Sequence, residues 1–196
     1  MDKCLARGGK KLIFKHPDND DLLIKVLIPE KRAKWIAEKK IRLIKRRFGA
    51  YYRTFYREID EYLSVSMRSD RIPDFIQPFY GICHTNLGIG MIVGKILGPE
   101  GQLAQTLEKI ATTGQFSAKQ LHDLVDVIFD KLVANRVVAG DLVPCNFVLD
   151  LAEGSPRLVL IDGFGDTTLI PIKKHIFWPL KRSLAKKRAA LHIWIE

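Results

Sequence analysis

The sequence predicts an α+β fold: a strand-rich first half, then a mainly helical second half that encloses one β-hairpin. Three observations predict it. Strand-sized apolar runs bounded by turn residues occupy residues 4–14, 22–27, 75–83 and 87–97. Apolar residues recur at three- and four-residue steps over 51–67 and again over 117–133, the period of amphipathic helices. Between the last helix-like stretch and the basic tail, Phe147-Val148-Leu149 and Leu158-Val159-Leu160-Ile161 flank a Glu153-Gly154-Ser155-Pro156 turn, which reads as a hairpin.

In chain order, residues 4–14 read as strand, tight turn and strand, with Arg7-Gly8-Gly9-Lys10 at the turn. Gly8 and Gly9 free the backbone to approach an anion closely, and Lys10 and Lys11 add positive charge. Two glycines between strands also make an ordinary hairpin turn. The next run, Leu22-Leu23-Ile24-Lys25-Val26-Leu27, is apolar except for Lys25, which is expensive to bury unless it meets an anion. A lysine facing solvent from an edge strand is the alternative. Residues 29–48 form a cationic helical stretch with a ragged apolar face. The helix at 51–67 is expected to bury Tyr52, Phe55, Tyr56, Ile59, Tyr62 and Leu63 and to carry Arg57, Glu58, Asp60 and Glu61 on its other faces.

Residues 75–83 and 87–97 read as two strands around a His84-Thr85-Asn86 turn, and 103–110 as a short helix. Ser117 is placed to cap the helix that follows, whose stripe is Leu121, Leu124, Val125, Ile128, Phe129 and Leu132. His122 falls beside that stripe and is read as structural or solvent-facing. The basic tail mixes Phe177, Trp178, Leu180 and Leu184 with lysines and arginines; its aromatics are expected to pack on the helical half, with an interfacial amphipathic helix as the alternative.

The chemistry concentrates in Gly140-Asp141-Leu142-Val143-Pro144-Cys145-Asn146. Asp141 and Asn146 have the D-x-x-x-x-N spacing of a phosphotransfer loop, in which the Asp accepts a hydroxyl proton and the Asn binds Mg²⁺. The hairpin brings Asp162 to the same end as Asn146. A carboxylate and a carboxamide are hard oxygen donors, the kind Mg²⁺ takes while keeping waters and bridging to phosphates.

The loop and the Asp162-Gly163-Phe164-Gly165 sequence resemble the protein-kinase-like superfamily. Most of the chain resembles the bacterial YrbL family named for the PhoP regulatory network, through residues 6–17, 23–27, Arg57-Glu58, Phe79-Tyr80-Gly81, 141–146 and 161–171. The resemblance implies a compact protein-kinase-like fold with a β-rich N-lobe at 1–98 and a reduced, mainly helical C-lobe at 99–196. It implies ATP and Mg²⁺ as cofactors. Lys25 would hold the α/β-phosphates, with Glu58 its orienting partner and Glu61 the rival. Gly8 and Gly9 would cover the phosphates, the backbone near Val93 and Lys95 would meet the adenine, Asn146 and Asp162 would bind metal, and Asp141 would be the base. Asp166 is the other candidate carboxylate. Departures narrow the reading: the His-Arg of protein kinases is absent before Asp141, and Gly140-Asp141 with Pro144 resembles the loops of sugar, choline and antibiotic phosphotransferases. Only about thirty residues follow Asp162, so a peptide-binding subdomain is not expected. The acceptor is expected to be a small-molecule or glycan hydroxyl, such as a lipopolysaccharide core sugar.

With 196 residues and 47% hydrophobic content the chain suits one domain or two small lobes. Cys4, Cys83 and Cys145 form no C-x-x-C pair, so neither a disulfide framework nor a zinc site is expected. No signal-like or bilayer-length apolar run occurs, and a cytoplasmic protein, with the inner membrane periphery as an alternative, is expected. The net charge of +10 gathers at 31–53 and in the tail, and attraction to nucleic acid, an anionic membrane surface or a polyanionic substrate remains open. No helix-turn-helix, zinc-finger or RNP signature supports nucleic acid, which ranks last. A non-catalytic, nucleotide-binding regulator of kinase-like fold is the main alternative. The oligomeric state is not legible.

Overall fold

The protein is described by a computed structural model covering residues 4–31, 51–69, 73–151, 154–165 and 177–196. The expected cationic helix at 29–48 lies almost wholly outside the described residues, as do Asp166 and the start of the basic tail. Two compact units result: Met1–Tyr56 with Pro78–Lys95, and Arg57–Gln77 with Ile96–Glu196.

The first unit is an antiparallel sheet of β1 (Cys4–Arg7), β2 (Lys11–Lys15), β3 (Leu22–Leu27), β4 (Phe79–Thr85) and β5 (Gly88–Gly94), in the order β1-β2-β3-β5-β4. β3 is central and all but its first residue are buried. Its alternation sorts the sheet into two faces. Ile24 and Val26 pack with Phe14, Leu12, Cys83 and Leu87 on one face. Gly90 opens this face: a Cβ there would stand 2.7 Å from Ile24 Cγ2. Lys25 points to the opposite face, between Ile13 and Met91 on the flanking strands. The start of α1 (Arg53–Ser69) ties to the sheet through the residues leading into it: Tyr51 donates its hydroxyl proton to Ile28 C=O at 2.7 Å, and Ile89 N–H donates to the Tyr52 hydroxyl at 3.2 Å.

Among the described residues, the second unit holds most of α1, three further helices and a hairpin. α2 (Leu107–Thr113) is capped by Thr106, whose hydroxyl accepts from Lys109 N–H. α3 (Ala118–Ala134) begins with the expected Ser117 cap, here a full capping box with Gln120, and buries Leu121, Val125, Ile128, Phe129 and Leu132. β6 (Phe147–Asp150) pairs antiparallel with β7 (Arg157–Leu160), and Phe147 meets Phe129 at 6.3 Å between ring centroids, which seats the hairpin on α3. α4 (Phe177–Ile195) buries Leu180, Leu184 and Leu191 and clamps to α3 by polar contacts. Arg188 donates to Asp126 at 2.6 Å and Asp130 at 2.9 Å; His192 reaches Asp126 at 2.6 Å and stacks on His122.

Several expectations are corrected. The helix expected at 51–67 runs over Arg53–Ser69 and keeps only part of its expected face: Phe55 and Tyr62 are buried, but Tyr56 and Leu63 are 69% and 51% exposed, while Glu58 and Glu61 are buried. Periodicity marked a helix correctly, but two acids, one of them bonded to the buried Val138 amide, share the inner face with Phe55, Tyr62 and Val65. Residues 75–77 are not strand: Phe75 C=O accepts from Leu160 N–H and Gln77 N–H donates to Leu160 C=O, so this segment lies beside β7. The β4–β5 turn falls at Asn86-Leu87, and the helix expected at 103–110 begins at Leu107 because Thr106 caps it. In the tail, Leu180 and Leu184 pack inward, yet Trp178 is 80% exposed. Pro179 sits within the first helical turn, where a missing N–H is tolerated.

The α3–α4 clamp is acid-labile by construction. The Arg188 guanidinium, and next burial and His192, act on Asp126; the net effect holds its carboxyl below the ordinary 3.8. A lowered folded-state value contributes stability above the ordinary value that is lost as pH falls through the folded one. Asp126→Asn is therefore expected to lower the melting temperature at pH 7 by about 2–4 °C, the scale of a partly exposed ion-pair network. Thermal melts should show this deficit shrinking below about pH 4; a deficit that persists unchanged into acid would contradict the assignment.

Candidate active site

The loop after α3 is fixed by backbone before any side chain acts. Asn135 N–H and Asn135 Nδ2 both return to Lys131 C=O, ending the helix, and Arg136 takes a positive φ of 51° to turn the chain. Val138 N–H then donates to Glu61 Oε1 at 2.9 Å, while Gly165 N–H donates to Val138 C=O at 2.7 Å. Gly165 lies so close to α1 that a Cβ would come within 2.6 Å of Arg57 C=O. The helix carrying the two buried acids and the Asp162-Gly163-Phe164-Gly165 segment are thus in backbone contact.

The next residues converge on Gly163. Its carbonyl accepts from both Gly140 N–H, at 2.9 Å, and Asp141 N–H, at 3.0 Å. Its own φ is 83°, and a Cβ would stand 2.0 Å from Asp141 C=O and 2.8 Å from Asn146 Nδ2. This close approach explains the extra residue beside a plain Asp-Phe-Gly: the position must be glycine in both conformation and volume. Asn146 Nδ2 donates to Asp141 C=O at 2.7 Å, and Ile161 N–H donates to Asn146 C=O at 2.9 Å. Asp162 Oδ1 accepts from Gly163 N–H at 2.7 Å. Asp141, Asn146 and Asp162 therefore belong to one hydrogen-bonded junction. Asp141 is exposed, and the other two are partly buried.

The donor set has a clear chemical character. With its amide nitrogen turned to Asp141 C=O, Asn146 would have Oδ1 to offer a metal, and Asp162 would add a carboxylate. No group of three or more His, Cys, Asp or Glu residues among the described residues forms a metal cage. Two oxygen side chains fit Mg²⁺, which completes its shell with water and phosphate, better than a transition ion with nitrogen and sulfur ligands.

The remaining predicted residues fall in different places. Lys25 and Glu58 are buried, at 4% and 2% exposure, on β3 of the first unit and the α1 portion of the second. Glu61, the rival acid, is also buried and is engaged with Val138 N–H and, at 3.7 Å, Arg68. Gly8 N–H donates to Lys11 C=O at 2.9 Å, so this amide closes the β1–β2 turn. Val93 is paired in the sheet with Leu23 and Phe79, and Lys95 N–H donates to Asp21 C=O at 2.8 Å, so the adenine expectation draws nothing from the Lys95 amide.

One residue escaped the sequence reading. Lys187 of α4 donates to Ala139 C=O at 2.9 Å and also to Gly140 C=O, holding the backbone just before Asp141. Within a tail crowded with lysines and arginines, nothing in the sequence distinguishes it.

The Gly163 junction gives a direct prediction. Gly163→Ala should lower stability by roughly 3 kcal/mol, because a backbone carbonyl must move and φ is strained. Gly9→Ala, with nothing within 4 Å of the added carbon, should stay within about 0.5 kcal/mol of the parent. Denaturant melts of the pair measure the contrast; equal stabilities would contradict the junction.

Comparison with known proteins places this arrangement. No match is found among curated proteins. Among solved structures, the chain is similar to the Mycobacterium tuberculosis PknI kinase domain in a double-mutant form, with 14% identity and a TM-score of 0.51, over 82% of this chain and 56% of that one. A single-mutant form of the same domain gives 14% identity and a TM-score of 0.49, over 82% and 57%. This chain spans little more than half the length of those domains. The first likeness establishes the fold, a mixed α+β architecture of kinase type. The PhoP regulatory network protein YrbL family matches residues 1–193, and the chain belongs to that family.

Proposed function

We propose that the protein is an ATP- and Mg²⁺-dependent phosphotransferase acting on a small-molecule or glycan hydroxyl. The observation that carries this reading is the Asn146 side chain donating to Asp141 C=O while the Gly163 carbonyl accepts from the Asp141 amide. This junction orients a base and two oxygen ligands together, as phosphoryl transfer requires.

Asp141, exposed beside the junction, positions the acceptor hydroxyl and takes its proton. Asn146 and Asp162 would hold Mg²⁺, and the ion would supply positive charge to offset that of the phosphates. Lys25, buried on the central strand of the first unit, would bind the α/β-phosphates. Lys187 acts only as a positioning residue, through the carbonyls of Ala139 and Gly140. A lipopolysaccharide-type sugar suits the basic character of the chain, whose net charge is +10.

A second reading, a nucleotide-binding regulator without transfer activity, draws on two observations: the Gly8 and Lys95 amides are engaged within the fold. A scaffold, however, has no physical need for Asp141, Asn146 and Asp162 at one junction.

Asp141→Ala is expected to reduce transfer at least 100-fold while keeping ATP affinity within about twofold, the signature of a lost general base. Phosphate transfer to a panel of sugars and lipopolysaccharide core fragments, with calorimetry of ATP binding, tests this. Retained turnover in Asp141→Ala would remove Asp141 as the base. Mg²⁺-dependent ATP binding by wild type without transfer to any acceptor would favour the regulator.

A further inference from the structure

α4 has apolar residues on two sides, and the fold uses one. Leu180, Leu184 and Leu191 are buried. The polar groups near them are taken up as well: Arg188 meets Asp126 and Asp130 of α3, His192 meets Asp126, and Lys187 turns to the Ala139 and Gly140 carbonyls. Phe177 is also tied to the fold, with the Arg136 guanidinium 5.4 Å from its ring centroid.

The opposite side is uncovered among the described residues. Trp178, Arg182, Ala185, Ala189 and Ile193 follow one another at steps of four or three residues, so they form one line along the helix. All five are exposed, Trp178 at 80% and Ile193 at 74%. The two apolar ends stand roughly 22 Å apart at the helical rise. Lys181 and Lys186, both exposed, border the line on its two edges, and the exposed Trp194 widens its C-terminal end.

A single exposed tryptophan would be ordinary on any protein surface. Here large apolar groups at both ends share a line with cations, and small alanines between them leave it free of bulk. No acidic residue occurs within Phe177–Ile195. Among the described residues no ion pair engages Lys181, Arg182 or Lys186, whereas the acids Asp126 and Asp130 are held by Arg188 and His192 on the inward side. An apolar line with a cationic border matches the layered chemistry of an anionic bilayer surface. Trp178 and Ile193 would enter the headgroup and upper acyl layer while the lysine and arginine stems reach sideways to lipid phosphates. Nucleic acid would satisfy the cations but leave Ile193 and the alanines without a partner.

We propose that the outward face of α4 docks the protein on an anionic lipid surface. No helix among the described residues is long and apolar enough to cross a membrane, and the cations on this face hold α4 in the interfacial layer, parallel to the surface. The proposal stands apart from the phosphotransferase reading, since it needs neither ATP nor an acceptor.

Flotation of the full chain with vesicles tests it, using phosphatidylcholine alone and phosphatidylcholine mixed with phosphatidylglycerol. The chain should float with the mixed vesicles and not with the neutral ones, and added salt should weaken the binding. Lys181→Gln, Arg182→Gln and Lys186→Gln combined should weaken it on the order of a hundredfold. Trp178→Ser with Ile193→Ser should weaken it about tenfold or more, and should melt like the parent because both side chains are exposed. Affinity within twofold of wild type in either variant overturns the proposal, as does equal binding to neutral and mixed vesicles. Binding to duplex DNA of random sequence but not to mixed vesicles overturns it in favour of nucleic acid. A second measurement leaves the cations and Trp178 in place. With Trp35→Phe and Trp194→Phe, Trp178 is the one tryptophan remaining of three. Its emission should shift to the blue on adding mixed vesicles and be quenched by lipid carrying bromine on its acyl chains. Unchanged emission overturns the proposal.

Discussion

One carbonyl oxygen holds the candidate site together. The Gly163 C=O accepts two amide protons, from Gly140 and Asp141, and the missing side chain at Gly163 lets Asp141 C=O and the Asn146 carboxamide approach its α-carbon. The geometry works only with glycine at a φ of 83°. From this contact the rest follows in sequence. Asp141 is fixed in backbone, Asn146 turns its amide nitrogen to Asp141 C=O, and Asp162 is carried beside them by the hairpin strand β7. Two further restraints reach the same backbone: Glu61 through Val138 from α1, and Lys187 through Ala139 and Gly140 from α4.

The described charges fall into two kinds. Asp126, Asp130, Arg188 and His192 join α3 to α4 at the surface, where each contact is worth little and the set matters more than any member. Lys11, Lys25, Glu58 and Glu61 are almost wholly buried, where each ionised group is costly unless it is matched. A fold selected for stability alone would do as well with apolar residues at such positions. The burial of Glu58 and Glu61 goes with the exposure of Tyr56 and Leu63 on the other side of α1.

Much of this was legible in the residues, and the physical reasons for the misses are specific. The hairpin joining Asn146 to Asp162 was readable because its two strands are short, apolar and separated by turn chemistry; Ser117 was readable because capping is local. α1 was readable in existence and only partly in orientation, with Phe55 and Tyr62 inside as expected but Tyr56 and Leu63 outside, since tertiary partners decide which face is buried. Lys187 was unreadable for a similar reason: in the tail one anchoring lysine among many looks like surface charge. The need for glycine at 163 was concealed because a tight contact with Asp141 C=O, far away in sequence, creates it.

The central claim is that the Asp141, Asn146 and Asp162 junction holds Mg²⁺ for a nucleotide. A thermal-shift titration with ATP, run with and without Mg²⁺ on wild type and Asp162→Asn, tests it most directly. The account predicts that ATP stabilises wild type only when Mg²⁺ is present, by about 3 kcal/mol at a hundredfold excess over Kd, and that Asp162→Asn loses this Mg²⁺-dependent part while melting normally on its own. Stabilisation by ATP that ignores Mg²⁺, or that survives intact in Asp162→Asn, would contradict it.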